Sequence, residues 1–151
     1  MRFGTIKDVV DFAGKLHRAL SDQYAELEQL SSSERAGLML DYLNRHEKNL
    51  ARAMDQYADD MTQNVAALWM QDVPELQPDD LINKVRGVDL NDVNSIISVA
   101  LAVDDYLIQC YQSMADEVDS DAGKEVFKSL IKLEDNELHR LSRAAFRLAD
   151  I

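Results

Sequence analysis

Placed on a wheel at about 100° per residue, the apolar side chains of residues 5–31 gather on one side: Ile6, Val9, Ala13, Leu16, Leu20, Tyr24 and Leu27. Lys7, Asp8, Asp11, Lys15, Arg18, Asp22 and Glu26 fall opposite, so the spacing predicts a helix that buries one face. A second stripe of Met39, Tyr42, Leu43, Leu50, Met54, Tyr57 and Met61 predicts a helix over 33–68. The Ser31-to-Glu34 spacing predicts a capping box at its start. The pattern breaks over 70–89, where Pro74, Pro78 and Gly87 stand in an acidic, polar stretch with room for a short helical segment from Asp79 to Val85. Val93, Ile97, Ala100, Leu101, Ile108, Tyr111 and Ala115 define a third helix over 90–118, starting near Asp89 or Asn91. Asp119 or Ser120 then caps a fourth over 121–149, which carries Val126, Phe127, Leu130, Leu133, Leu141, Ala144 and Leu148.

Helices of roughly 27 residues are about 40 Å long. Short links tie them into two antiparallel hairpins, and the 70–89 connection is long enough to travel the length of the bundle. The expected fold is all-α, a single four-helix domain over 1–151 with one long crossover, which is the ferritin-like topology. A plain up-down-up-down order is the alternative.

Composition narrows this further. In 151 residues there are five Gly and two Pro, too little punctuation for the many turns of a β-sandwich. Cys110 is the only cysteine, which excludes an internal disulfide framework and every Cys-pair metal site and fits a reducing compartment. The segment MRFGTIKDVVDF has no apolar signal core, and no stretch approaches the roughly 20 apolar residues of a membrane span. A cytoplasmic protein without a membrane partner is expected. A net charge of −12, from 28 acidic and 16 basic side chains, repels phosphate backbones, so no nucleic-acid partner is expected.

The informative residues are ionisable groups on the apolar stripes, because an unpaired charge moved out of water costs several kcal/mol. His17 lies between Ala13, Leu20 and Tyr24; His46 lies between Met39, Leu43 and Leu50, with Glu47 at the edge of that stripe. Asp104 lies between Ala100, Leu101, Ile108 and Tyr111, and Glu134 and Glu137 share the side of Leu130, Leu133 and Leu141. Each has an ordinary explanation taken singly: a hydrogen-bonded core histidine, a rotation that trades Asp104 for Asp105, or a solvated face beside Lys132, Arg140 and Arg143. Their recurrence near the middle of four helices points to a bound cation, with His17, His46, Asp104, Glu134 and Glu137 as candidate ligands. His139 falls on the far side of the fourth helix and is expected in solvent. Tyr24, Tyr42, Tyr57 and Tyr111 are expected as core aromatics, Met39, Met54 and Met61 as filler, and Cys110 as a thiol pointing away from the stripe. Phe146 and Trp69 are candidate contact residues.

These residues resemble the ferritin-like superfamily, and within it the rubrerythrin diiron domain. HRALSDQY places His17 where that family carries a Glu seven residues before a Tyr, here Tyr24, and DDYLIQCY places Asp104 in the same relation to Tyr111. VFKSLIKLEDNELHRL matches the run into Glu-x-x-His with Glu134 retained and Glu137 in place of His, while LNRHEKNL keeps His46 but has Leu43 where a bridging Glu belongs. The resemblance implies one or two ions of iron, or of manganese or zinc, in a degenerate site. Its nearest form is a mononuclear site on His17, His46 and Glu134, with Asp104 and Glu137 as further ligands. It also implies oxidoreductase chemistry linked to dioxygen or peroxide, an external electron donor in the absence of rubredoxin-like Cys pairs, and, with the exposed Phe146, a homodimer. A metal-free ferritin-like bundle serving as an interaction or assembly module is the competing function, and Leu43 favours it.

Overall fold

The computed structural model describes residues 4–70 and 78–149, and Pro74 lies outside them. Two short strands, β1 (Gly4–Thr5) and β2 (Trp69–Met70), accompany six helices: α1 (Ile6–Leu30), α2 (Glu34–Asp60), α3 (Gln63–Ala66), α4 (Pro78–Arg86), α5 (Val93–Glu117) and α6 (Asp121–Ala149). The four long helices form an all-α bundle of two hairpins, α1/α2 and α5/α6, joined by a long crossover. The direction of the crossover is fixed by contacts at the helix ends. Ser31 and Ser32, just before α2, donate to Leu90 O and to Asn91 Oδ1, just before α5. The starts of α2 and α5 therefore share one end of the bundle and the two run parallel, as the ferritin-like arrangement requires. Arg35 at the start of α2 donates to Leu148 O near the end of α6, so that pair is antiparallel.

The helix ends differ from the expectation in instructive ways. The predicted capping box at Ser31 does not form: Ser31 closes α1, and Ser33 is the N-cap of α2, accepting from Ala36 N. A capping box is present instead at the start of α1, where Thr5 and Asp8 satisfy each other's backbone N–H groups. Asp92 caps α5, and Ser120 Oγ accepts from Gly123 N at the start of α6. Gly123 has no room for a side chain, since a Cβ there would come within 2.7 Å of Val118 and 3.2 Å of Ile6.

The second helix ends at Asp60, not near residue 68. Its last turn carries Asp59 and Asp60 and no basic residue, the unfavourable sign for a helix C-terminus. Beyond it the chain folds back through α3 so that Trp69 and Met70 pair with Thr5 and Gly4, and Ile6 N donates to Leu68 O.

One further correction concerns α5. Its mean hydropathy reaches 1.3 over 18 residues, so by length and composition alone it is apolar enough to cross a membrane. In the fold its buried face, with Ile96, Ala100, Val103, Leu107, Tyr111 and Met114, contributes to the bundle core around a buried mid-helix carboxylate, Asp104. The α1/α2 hairpin is held in register by a buried polar clasp: Asn44 Nδ2 donates to Ser21 O at 2.8 Å, and Ser21 Oγ donates to Asn44 O at 3.1 Å.

Candidate metal centre

Helical spacing carries His17 inward on α1 with Ala13, Leu20 and Tyr24. It does the same for His46 on α2, Asp104 on α5 and Glu134 on α6, and these four side chains meet at mid-bundle, each no more than 2% exposed. Asp104 is buried while Asp105 faces solvent and accepts from Gln109. Glu137 sits at the margin with 13% of its side chain exposed.

Glu47 joins them, only 1% exposed. Its place at the edge of the stripe understated it. Residue 47 lies four positions after Leu43 and three before Leu50, so it shares their side of the helix. Leu43 itself is fully buried in the core. A carboxylate therefore enters the core one turn after Leu43.

The groups form two units. His17 lies between two carboxylates, with Nδ1 2.5 Å from Glu47 Oε2 and Nε2 2.6 Å from Glu134 Oε1. Tyr111 donates to the same Glu134 oxygen at 3.4 Å. His46 Nε2 is 2.8 Å from Asp104 Oδ2. Its Nδ1 approaches Glu137 Oε2 at 3.3 Å, an ion-pair distance without hydrogen-bond alignment, so Nδ1 has no hydrogen-bond partner. Tyr42 stacks on the His46 ring with centroids 6.4 Å apart, and Arg140 donates to Glu137 at 3.0 Å.

An imidazole that meets an ionised carboxylate at each nitrogen is satisfied on both sides only as the imidazolium, which donates twice. Burial works against that charge on His17, but Glu134 and Glu47 outweigh it and hold the pKa well above 6.5. For His46 burial is likewise outweighed, chiefly by Asp104 and Glu137, and the pKa is pushed up to about 10. Burial raises the pKa of Asp104 against the pull of His46. The contact with His46 lowers that of Glu137. Burial also pushes the phenols of Tyr24 and Tyr111 well above 10.

Two imidazoles and four carboxylates leave an excess of negative capacity in the core, and Asp104 Oδ1 and Glu134 Oε2 are buried without a hydrogen-bond partner. One nitrogen of His46 and one oxygen each of Glu47 and Asp104 lie within 4.8 Å of one another. A mixed nitrogen and oxygen set is the type that divalent transition metals bind, and two carboxylate oxygens of this cluster have no hydrogen-bond partner. The tight grouping includes neither His17 nor Glu134, both of which are engaged with each other.

His139 is exposed, as expected, and bonds Asp135 O within its own helix. Tyr24 and Tyr111 are core residues, whereas Tyr42 and Tyr57 are only partly buried. Cys110 does not point away: it is buried at the edge of the core, where burial raises its pKa against a hydrogen bond with Tyr106.

The sequence matches no protein-family model and no curated protein. Among solved structures, the crystal structure of the Escherichia coli stress protein YciF superposes with a TM-score of 0.57 at 17% identity, covering 97% of this chain and 98% of that one. The likeness extends over the whole bundle and concerns the fold.

Proposed function

We propose that the protein is a ferritin-like metal-binding protein whose core takes up a divalent transition metal, iron foremost and manganese or zinc as alternatives, on His46, Glu47 and Asp104. The observation that carries this reading is the convergence of those three donors beside two unpartnered buried oxygens, Asp104 Oδ1 and Glu134 Oε2. His46 would bind as the neutral ring and the two carboxylates as anions, so uptake would release protons. When bound, an iron ion would supply redox chemistry toward dioxygen or peroxide. The chain's own contribution is a buried polar setting, with Tyr111 and His17 holding Glu134 in place.

A second reading is favoured by His17, whose two nitrogens are already engaged at 2.5 and 2.6 Å. In it the whole cluster is a metal-free polar clasp inside an interaction module. Metal content of protein purified without chelator, together with melting temperatures in added Fe(II), Mn(II) or Zn(II), separates the two. A ligand present at 100 times its Kd stabilises the folded state by about 2.7 kcal/mol. The metal reading expects stoichiometric metal and a clear upward shift that Asp104→Asn removes; absence of both metal and shift leaves the clasp.

A further inference from the structure

Outside the buried cluster, on the side of α6 facing α2, is an open groove of about 790 Å³ lined by Tyr42, Arg140, Arg143, Phe146 and Arg147, among others. Its volume falls within the roughly 300–1,000 Å³ of small-molecule sites. Phe146 is 71% exposed there and presents its ring to the groove. Arg45 lies over the Tyr42 ring, 5.9 Å from its centroid.

The charge of this groove is opposite to that of the chain. In a protein with net charge −12, four of 16 basic side chains (Arg45, Arg140, Arg143 and Arg147) gather around one pair of aromatic rings. Arg45 is paired with Asp41 and Arg140 with Glu137. Among the described residues no carboxylate pairs with Arg143 or Arg147. A second copy docking through the same face would set arginine against arginine, so charge complementarity selects an anionic occupant. The guanidinium fork matches a carboxylate in two-pronged geometry.

We propose that this groove binds a small amphipathic organic carboxylate, with its carboxylate on Arg143 and Arg147 and its apolar body against Phe146 and Tyr42. The inference is independent of the metal reading, although Arg140 and Tyr42 connect the groove to Glu137 and His46.

The test is a fluorescence titration of the full chain with 1-anilinonaphthalene-8-sulfonate, followed by displacement. The expected result is one saturable site from which octanoate, but not octan-1-ol, displaces the dye. The Arg143→Gln/Arg147→Gln double variant should weaken octanoate by about tenfold or more, the scale of one lost charge-assisted contact, and Phe146→Ala should weaken it too. These residues are exposed, so the helical circular-dichroism signal and melting temperature of each variant should match the parent. The proposal is overturned if the double variant binds octanoate as tightly as the parent or if octan-1-ol displaces the dye equally well. Sedimentation with phosphatidylglycerol vesicles in the absence of octanoate affinity overturns it as well, assigning the groove to a lipid surface.

Discussion

His17 and His46 are the same residue type at the same depth in one bundle, yet their surroundings make them different parts. His17 is enclosed, and both its nitrogens meet carboxylates that are themselves fully buried. His46 has one aligned partner, Asp104, and one marginal partner, Glu137, which Arg140 also holds from the solvent side. The first is an ion-pair triad, with both imidazole nitrogens engaged, that ties α1 to α2 and α6. The second retains spare coordination capacity and a short path to the surface. An imidazole engaged at both nitrogens suits a structural clasp, and one with an unpartnered nitrogen suits a site that takes something up.

The largest expected effect tests that division directly. Removing one partner of a buried ion pair strands the others, at a cost of about 3–5 kcal/mol. In chelator-treated protein at neutral pH, His17→Ala should lose that much in urea denaturation, because Glu47 and Glu134 have nowhere to hydrate. His46→Ala should lose roughly half as much: burial already favours protonated Asp104, and Glu137 reaches water. Equal losses would erase the distinction, and a reversed order would make His46 the clasp.

How much of this was legible beforehand follows from what a local pattern can encode. The four long helices and the crossover were readable because burial of one face repeats every turn, and His17, His46, Asp104 and Glu134 were readable as interruptions of that repeat. Glu47 was harder because it lies at the boundary of the stripe, where the packing of neighbouring helices decides whether a side chain turns in or out. His17 across the hairpin, the ion-pair partner that makes its burial tolerable, is 30 residues away in sequence. The early end of α2 was hidden for a similar reason. It serves a two-residue pairing between Gly4–Thr5 and Trp69–Met70, strands too short and too distant in sequence to leave a periodic trace. The Ser31–Ser33 run contains three candidate caps; Ser33 takes that role, while Ser31 bonds Leu90 just before α5, a partner distant in sequence.

The pH dependence sharpens the comparison at intermediate scale. A group that holds its proton more tightly folded than unfolded contributes stability fully below its unfolded pKa, and that contribution disappears as pH rises through the folded value. Both histidines are of this kind, so metal-free protein should lose stability as pH rises from about 6.5 toward about 10, the window set by His46. Glu137, with its lowered pKa, acts in the opposite sense: its contribution is present above its ordinary 4.5 and is lost on acidification. His46→Gln should flatten the alkaline decline measured by urea denaturation at a series of pH values while leaving the part due to His17. An unchanged slope would mean that His46 does not carry its proton in the folded state.

The smallest expected effect probes the enclosed unit alone. Tyr111 donates to the Glu134 oxygen that also meets His17, and at 3.4 Å it is the weakest of the contacts there. Tyr111→Phe keeps the ring and its packing and removes only the hydroxyl, so a loss of about 0.5–1.5 kcal/mol is expected, the range of one net hydrogen bond. The more telling quantity is its coupling to His17. If Tyr111 acts only through Glu134, the Tyr111→Phe and His17→Ala losses should be non-additive in a double-mutant cycle, because both act on one carboxylate. The same cycle against His46→Ala should be close to additive, and strong coupling there would join the two units into one network.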